Sequence, residues 1–557
     1  MPSEHRPLHR PLWRDAGARR GCEARYLRVQ GGVSSGSVSG GDWWVDRAVF
    51  VAVSDSQGFR ERNHAMGREI EPQQGARPIG RIAPAFGAIT ASVLVLQGCV
   101  NVGPDYEEPE IETPDAWHQA LAEGMAAGTP DLVRWWESLD DPTLATLIQR
   151  AADGNPTLKE TVARIEEAQA FRQVAAGERF PDVNLGGGIS RSRTSDVLIP
   201  PTVGFSRYNT FYEYGPNVAW EADFWGRIRQ SIEAADAEVE SSLESYRDAL
   251  VLLYAQVALT YTDVRTLQER ISFTEGNIQT QRDALGLVQD RNRAGLASDL
   301  EVHQAELNLY RTEAFLPSLR AALTASINQL SILLGDSPGA LHAQMSASAD
   351  IPRPDSDLLV GVPGDLIRRR PDIRAVERAL AAQTARIGVA TADLYPRFTI
   401  QGDFTILATD TDDLTDWQDR RWSIGGFFDW NLFDGGRVRG VIDIEDARTE
   451  QLLYRYEQTV LSALEEVETA MSDFTQEQQR RRALDQSATA AQRSVELVLI
   501  LYRTGLTDFQ NVLDMQRSLF EQQDQFADSD GKVTRDLIRI YAALGGGWDP
   551  EDNPLDE

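Results

Sequence analysis

The chain has 557 residues, a formal net charge of −30 and only two cysteines, Cys22 and Cys99. That charge argues against a nucleic-acid binder, which needs a basic face to neutralise phosphates. Two cysteines so placed make neither a disulfide framework nor a Cys-rich metal site, and no apolar run reaches the ~18 to 20 residues of a bilayer-crossing helix.

The first hundred residues differ from the rest. "HRPLHRPLWRDAGARRGCEARYLR" is basic and "GGVSSGSVSGG" is low in complexity, and neither has a helical or strand period. Met66 is followed by Arg68, Arg77 and Arg81 and then by the short apolar run "IAPAFGAITASVLVLQG". A charged start, an apolar core and small residues before a break describe a secretory signal peptide. The expectation is therefore that translation begins near Met66, that residues 1–65 are a spurious or disordered extension, and that 66–98 is the signal peptide. A natural cytoplasmic extension is the alternative. Leu96-Gln97-Gly98-Cys99 resembles a bacterial lipobox. The resemblance implies that Cys99 carries a covalent lipid and becomes the mature N-terminus, its several acyl chains giving a firm anchor. Because Val100 is not aspartate, the inner-membrane retention signal of such lipoproteins is absent. The competing account is an ordinary buried cysteine after an apolar strand.

Beyond Cys99 the chain repeats itself. Gly295-Leu296 aligns with Gly505-Leu506, Gly335 with Gly545, and Trp220 with Trp430, all at an offset of 210. Upstream, Asn155-Pro156 matches Arg370-Pro371 and Phe180-Pro181 matches Tyr395-Pro396 at an offset of 215. The five-residue difference lies between Pro181 and Trp220, as a surface loop would allow. Two units follow, 99–335 and 358–548, joined by a linker at 336–357 and ended by a tail at 549–557.

Each unit opens with a helical pattern, Pro156 to Phe180 and Pro371 to Tyr395, with proline in the first turn. Two strand-like runs come next. Phe398, Ile400, Phe404 and Ile406 alternate with polar residues; Trp422, Ile424, Phe428, Trp430 and Leu432 share one face in "WSIGGFFDWNL". "TFYEYGPNVAW" alternates likewise and "VNLGGGIS" more weakly. Such alternation fits a half-buried strand in a soluble sandwich. It also fits a transmembrane barrel with a wet lumen, which four strands cannot close alone.

Long heptads follow. Leu243, Leu250, Val257, Val264, Ile271, Ile278 and Leu285 recur every seven residues; Leu453, Val460, Val467 and Phe474 continue the register in the second unit until Arg481 and Ala488 interrupt it. A helix from about Gly226 to Arg293 would run roughly 100 Å, turn at Gly295 and return from Asp299 to Leu334. Pro317 is expected to kink that return, and the helix from Pro371 to stack above it.

At this point the sequence resembles the TolC-like outer-membrane factors of bacterial efflux, and more closely the NodT/OprM-like lipoproteins. The residues that carry the resemblance are "CVNVGPDYEEPE" from Cys99, "WWESLDDPTLATLIQRAADGNPTL" from Trp135, "DLIRRRPDIRAVERAL" from Asp365 and "YRTGLTDFQNVLDMQRSLF" from Tyr502. It implies an α+β fold with four transmembrane β-strands and long coiled-coil α-helical hairpins per chain. Three such chains would form a homotrimer, a trimeric β-barrel on an α-barrel, in the bacterial outer membrane. The implied function is a passive exit duct of a tripartite efflux system, working with a periplasmic adaptor and an inner-membrane pump of the resistance–nodulation–division (RND) type. No enzyme activity, no cofactor beyond the lipid on Cys99, no metal and no nucleic-acid partner are expected.

The same resemblance assigns tip residues. Asp514 matches a gate aspartate that repels anions in a ring of three. Gln510, one turn earlier, stands where OprM-like members have leucine, which puts a second, hydrophobic constriction in doubt. Tyr502 and Glu301 match a tyrosine and a carboxylate that latch such tips shut, while the arginine of that latch is replaced by Thr507. Arg517 matches a basic residue beyond the gate. Read without the resemblance, Asp514 and Arg517 are an exposed i, i+3 helix pair of small energetic weight. Gly295, Leu296, Gly505 and Leu506 are hairpin turns and expected adaptor contacts. The rival functions are an exit channel for type I protein secretion or metal efflux and, in a different class, a periplasmic coiled-coil adaptor or structural lipoprotein.

Overall fold

A computed structural model describes residues 101–550 except 120, 122–123, 129–131, 196–206 and 355–357, together with 554–555. Cys99, the signal-peptide segment and the first 65 residues lie outside the described residues. In chain order the elements are β1 Met125–Ala127, α1 Pro142–Gly154, α2 Pro156–Gly177, β2 Asp182–Arg193, β3 Tyr208–Ala222, α3 Arg227–Arg293 and α4 Asp299–Leu333. The second half adds β4 Leu358–Val360, α5 Pro363–Arg369, α6 Pro371–Ala392, β5 Arg397–Ala408, β6 Arg420–Asp429, α7 Arg437–Arg503 and α8 Phe509–Ala543.

The repeat is reproduced element by element. Helices α2 and α6 have 22 residues each, β2 and β5 have 12, α3 and α7 have 67, and α4 and α8 have 35. Sixty-seven residues correspond to roughly 100 Å of helix. Helix α4 runs on through Pro317 without interruption. The four long strands form one antiparallel sheet in the order β2-β3-β5-β6, leaving β2 and β6 as its outer strands. Below the sheet, α3 packs against α2, α4, α6 and α8, and α7 packs against α6 and α8. Both helical layers therefore end on the same two sides, α2 and α4 on one and α7 on the other.

The strand register places Val183, Leu185 and Ile189 in line with Val218, Pro216 and Tyr212. It then aligns Trp220 with Ile400 and Tyr214 with Ile406, and Phe398 with Phe428, Gly402 with Ile424 and Phe404 with Trp422. These residues form one apolar face continuous over all four strands. On the opposite face Asn184, Asn217, Asp403 and Ser423 form a polar row. The apolar side chains are open to the surroundings: Leu185, Ile189, Ile424 and Phe428 are all exposed. A soluble sandwich would cover that face. Strand β6 ends at Asp429, so Trp430 and Leu432 lie beyond it and not on its face as the alternation implied. The Trp430 indole N–H is drawn to the Leu394 carbonyl at 3.0 Å, as that of Trp220 is to Arg179 at 2.9 Å.

The main core lies partway along the long helices. Leu144, Leu147 and Ile148 of α1, Trp135, and Leu341 and Met345 of the inter-unit segment surround Val257 and Tyr261 of α3 and Leu537 and Ile538 of α8. The segment expected to be a plain linker thus contributes to the core. Glu466 and Glu468 of the carboxylate-rich run on α7 are also engaged. Glu466 pairs with Arg370 at 2.6 Å, and Glu468 accepts backbone N–H groups of His118 and Gln119.

One stacking expectation is corrected. The helix from Pro371 does not sit on the end of α4. Asn155, just before α2, donates to the Leu333 carbonyl at 2.8 Å, so α2 continues the line of α4 within its own unit. Arg370, just before α6, donates to the Ala543 carbonyl at 3.0 Å, so α6 continues α8. Each unit closes its own return path, and the cation at the α8 terminus also meets the negative end of the helix dipole. Asp372 and Glu466 raise the pKa of the buried Arg370 guanidinium against the opposing effect of burial.

The heptad break at Arg481 has a physical cause. Its guanidinium reaches Asp530 of α8, a carboxylate only 2 % exposed that also pairs with Arg353 of the inter-unit segment. One residue on, Gly531 lies so close to α3 that a Cβ there would stand 1.9 Å from Thr266 Oγ1. Gly531→Ala must push α3 and α8 apart, an overpacking cost of about 1–3 kcal/mol. A lower thermal midpoint by circular dichroism, partly recovered by adding Thr266→Ala, is the expected outcome.

Candidate functional site: the hairpin tips

Both hairpins turn in the same way. Gly295 and Gly505 each have φ +74°, the left-handed conformation that closes a helix C-terminus without a Cβ clash. The next residues, Leu296 and Leu506, are exposed, and their N–H groups bond back to Arg291 and Leu501 carbonyls at 2.8 and 2.9 Å. The first turn is tied further by Asn292, which donates to the Ala297 carbonyl and Asp299, and by a Ser298–Glu301 capping box at the start of α4. The second lacks a side-chain cap at Asp508. There Thr507 accepts from Asn511 at 2.8 Å.

The two tips are joined through Tyr502. Its ring is buried among Val288, Ala305, Val498, Phe509, Val512 and Leu513, and its hydroxyl donates to Glu301 Oε2 at 2.7 Å. Glu301 thus uses one oxygen on its own N-cap and the other on the facing hairpin. Sequence reasoning missed the third member. Arg291, at the end of α3, lies 4.7 Å from the centroid of the Tyr502 ring and donates to the Tyr502 and Arg503 carbonyls at 3.1 and 3.3 Å. A cation here meets both the ring face and the carbonyl end of α7. The cation at this contact thus comes from the first hairpin, whereas the Thr507 hydroxyl bonds Asn511. The repeat carried only a weak signal: at the offset of 210 Arg291 aligns with Leu501, but Asp299 and Glu301 likewise align with uncharged Phe509 and Asn511.

Gln510, Asp514 and Arg517 lie along one exposed stripe of α8, while Val512, Leu513 and Gln516 point into the tip core. Gln510 donates to Asp514 Oδ1 at 2.9 Å and Arg517 approaches the same oxygen at 3.6 Å. Arg517 also reaches Asn308 of α4 at 3.4 Å. The carboxylate is about half exposed, so its pairing with Arg517 is of the weak surface kind. The geometry brings Tyr502 and Glu301 together and keeps Asp514 and Gln510 on a separate, outward stripe.

A four-stranded sheet with an open apolar face, continued by two helical hairpins of roughly 100 Å, is the architecture of an outer-membrane channel subunit. The chain belongs to the outer membrane efflux protein family, whose model matches residues 147–336 and 362–546. Nodulation protein T of Rhizobium leguminosarum bv. trifolii is 29% identical over 464 residues, covering 82% of this chain and 96% of that protein. Outer membrane protein OprJ of Pseudomonas aeruginosa is 29% identical over 467 residues, or 84% and 97%. Among solved structures the outer-membrane channel OprN superposes with a TM-score of 0.76 at 34% identity, over 81% of this chain and 100% of that one.

Burial and the Glu301 bond raise the Tyr502 pKa well above its ordinary value. A group raised on folding contributes fully below its unfolded pKa of ~10 and loses that contribution as pH rises through the folded value. Tyr502→Phe strands a carboxylate oxygen, at a local cost of roughly 1–3 kcal/mol. Hydrogen exchange at the two turns should accelerate in the variant at neutral pH. In the native chain the same acceleration should appear only at strongly alkaline pH.

Proposed function

We propose that this protein is the passive outer-membrane duct of a tripartite efflux system. Three copies would close a twelve-stranded barrel, an even number within the range of outer-membrane barrels, and their hairpins would continue it as a periplasmic tunnel. A periplasmic adaptor would dock at the turns around Leu296 and Leu506, and an RND-type inner-membrane pump would supply cargo and energy. A lipid on Cys99 would tether the mature N-terminus. The observation that carries this reading is the apolar face running unbroken across all four strands above the two long hairpins. An adaptor or structural lipoprotein has no use for such a face.

The duct does no chemistry; its control is at the tip. Asp514 is the gate residue in this proposal. Repeated around an axis, its exposed carboxylate sets a negative ring that disfavours anions. Gln510 beside it makes the constriction polar rather than hydrophobic. The Tyr502–Glu301–Arg291 link holds the two hairpins of each chain together and favours the closed tip. Arg517 ties Asp514 back toward α4 and tempers its charge.

Reconstituted in planar bilayers, the protein should form a cation-preferring pore. Asp514→Ala should weaken that preference and raise the leak severalfold, with no change in the extracted oligomer. A protein that gives no conductance and remains a monomer would overturn the proposal. Mass spectrometry of the membrane-extracted chain should find an acylated Cys99 as its first residue, and Cys99→Ser should retain the signal segment.

A further inference from the structure

At the end of the sheet away from the helices, the two strand pairs differ on their apolar face. Strand β2 carries the alternation of Val183, Leu185 and Ile189 on into Arg191 and Arg193, which its pairing sets opposite Thr210 and Tyr208. Successive residues of a strand alternate between faces, so both arginines stand on the apolar face, not with the polar row of Asn184. Both are exposed, and the Arg193 guanidinium lies 5.9 Å from the centroid of the Tyr208 ring. At the offset of 215 the same two positions on β5 are Ile406 and Ala408. The strand therefore accepts apolar residues there, and the fold does not require the charges. On β5 the 409–419 connection folds onto that face, with the Trp417 and Phe404 rings 6.1 Å apart and the Tyr214 hydroxyl donating to the Leu414 carbonyl at 3.1 Å. Ala408 is only 1% exposed as a result. Arg191 and Arg193 stay open.

We propose that Arg191 and Arg193 form a binding site for the headgroup of a glycolipid carrying two phosphates in the outer leaflet of the membrane. This rests on the outer-membrane duct proposed above and names the lipid that its outer rim holds. Depth is the first support. From Val183 to Ile189 the strand runs roughly 20 Å, and from Val183 to Arg193 roughly 34 Å. At a tilt of ~40° these become about 15 and 26 Å of membrane depth, against an apolar band about 25 Å tall. Arg193 thus reaches the level where hydrocarbon gives way to headgroups, and Arg191, about 5 Å deeper, can extend its stem to the same level. The helices leave from the opposite end of the sheet, so this rim faces the outer leaflet.

Chemistry is the second support. A charge on the lipid face is costly at mid-depth and tolerated at the rim, and a guanidinium takes up phosphate oxygens through two parallel hydrogen bonds. Two guanidiniums one strand repeat apart, roughly 7 Å, match a headgroup with more than one phosphate, where an ordinary phospholipid offers a single one. Tyr208 adds an aromatic ring of the kind that settles at the headgroup level. The aspartates of the 409–419 connection stand away from this pair. Asp410 and Asp416 accept from the backbone of Asp412 and Gln418, and the connection packs mainly on β5, from which β3 separates β2.

Native mass spectrometry of the full-length, membrane-extracted and delipidated protein tests the site with three probes: bisphosphorylated lipid A, its fully dephosphorylated form and phosphatidylglycerol. Lipid A should bind saturably, and the other two roughly tenfold or more weakly. Arg191→Gln combined with Arg193→Gln should lower lipid A affinity by roughly tenfold. Arg421→Gln should leave it unchanged, since Arg421 lies on the polar face, 3.9 Å from Asp403. Equal lipid A affinity in the native chain and the double variant would overturn the site. Phosphatidylglycerol binding as tight as lipid A, and lost in the same variant, would overturn the glycolipid and leave only a generic attraction to anionic lipid. Bilayer conductance of the same preparations separates the two proposals and shows that the double variant has folded. A normal pore whose lipid A binding ignores the two arginines removes the lipid site alone. A monomer without conductance removes the duct, and the lipid site with it.

Discussion

Helix α3 is the element on which the rest depends. It touches α2 and α4 of its own unit and α6 and α8 of the other, so the two units meet along it over their full height. Its heptad seam is what permits this. Val257 and Val264 are fully buried, and the main core collects around them at the level where α1 and the inter-unit segment wrap the bundle. With α1 as well, five helices on one leave little freedom in rotation or register, and the sheet above inherits that placement through the short connection from Ala222 to Arg227. Helix α7 has the same length but packs mainly on α6 and α8, with a small contact to α5.

Charge enters the bundle on both long helices, on α3 through the buried Glu244–Arg247 pair and Arg265. Within α3 the seam stays apolar through Ile271 and Ile278. In α7 it is interrupted at Arg481, which reaches the buried Asp530, itself held by Arg353. A buried carboxylate between two guanidiniums is costly to desolvate, so the pairing is weak evidence for added stability. Nearby, burial and the Asp530 charge push the Glu269 carboxyl up to about 7. This mid-bundle cluster gives the two otherwise similar units distinct identities, and it ties the inter-unit segment to α8.

The tips show the same economy. Both turns share backbone geometry, but only the first carries a capping box, and Glu301 serves that cap and the Tyr502 hydroxyl together. Arg291 adds a cation where the α7 carbonyls and the Tyr502 ring converge. The link thus draws on α3, α4 and α7, which meet at the end of the bundle.

Much of this was legible in the residues. Repeat offsets, heptads, proline-led helices and alternating strands are local or periodic signals, and each follows from backbone geometry that repeats every two or three to four residues. The resemblance singled out Tyr502, Glu301 and Asp514, and the structure brings the first two into contact. What the residues could not show is which equivalent helix stacks on which, because Asn155 and Arg370 occupy matching positions and either helix could in principle extend either return. Only the packed structure pairs α2 with α4 and α6 with α8. Nor could periodicity find Arg291, whose partner lies about two hundred residues away, or explain Arg481, which looks like a flaw in the heptad until Asp530 is placed beside it. The sequence by itself determined the elements and their repetition, since those depend on neighbours along the chain. The tertiary structure alone decided the pairings between distant charges and helix ends, since those depend on neighbours in space.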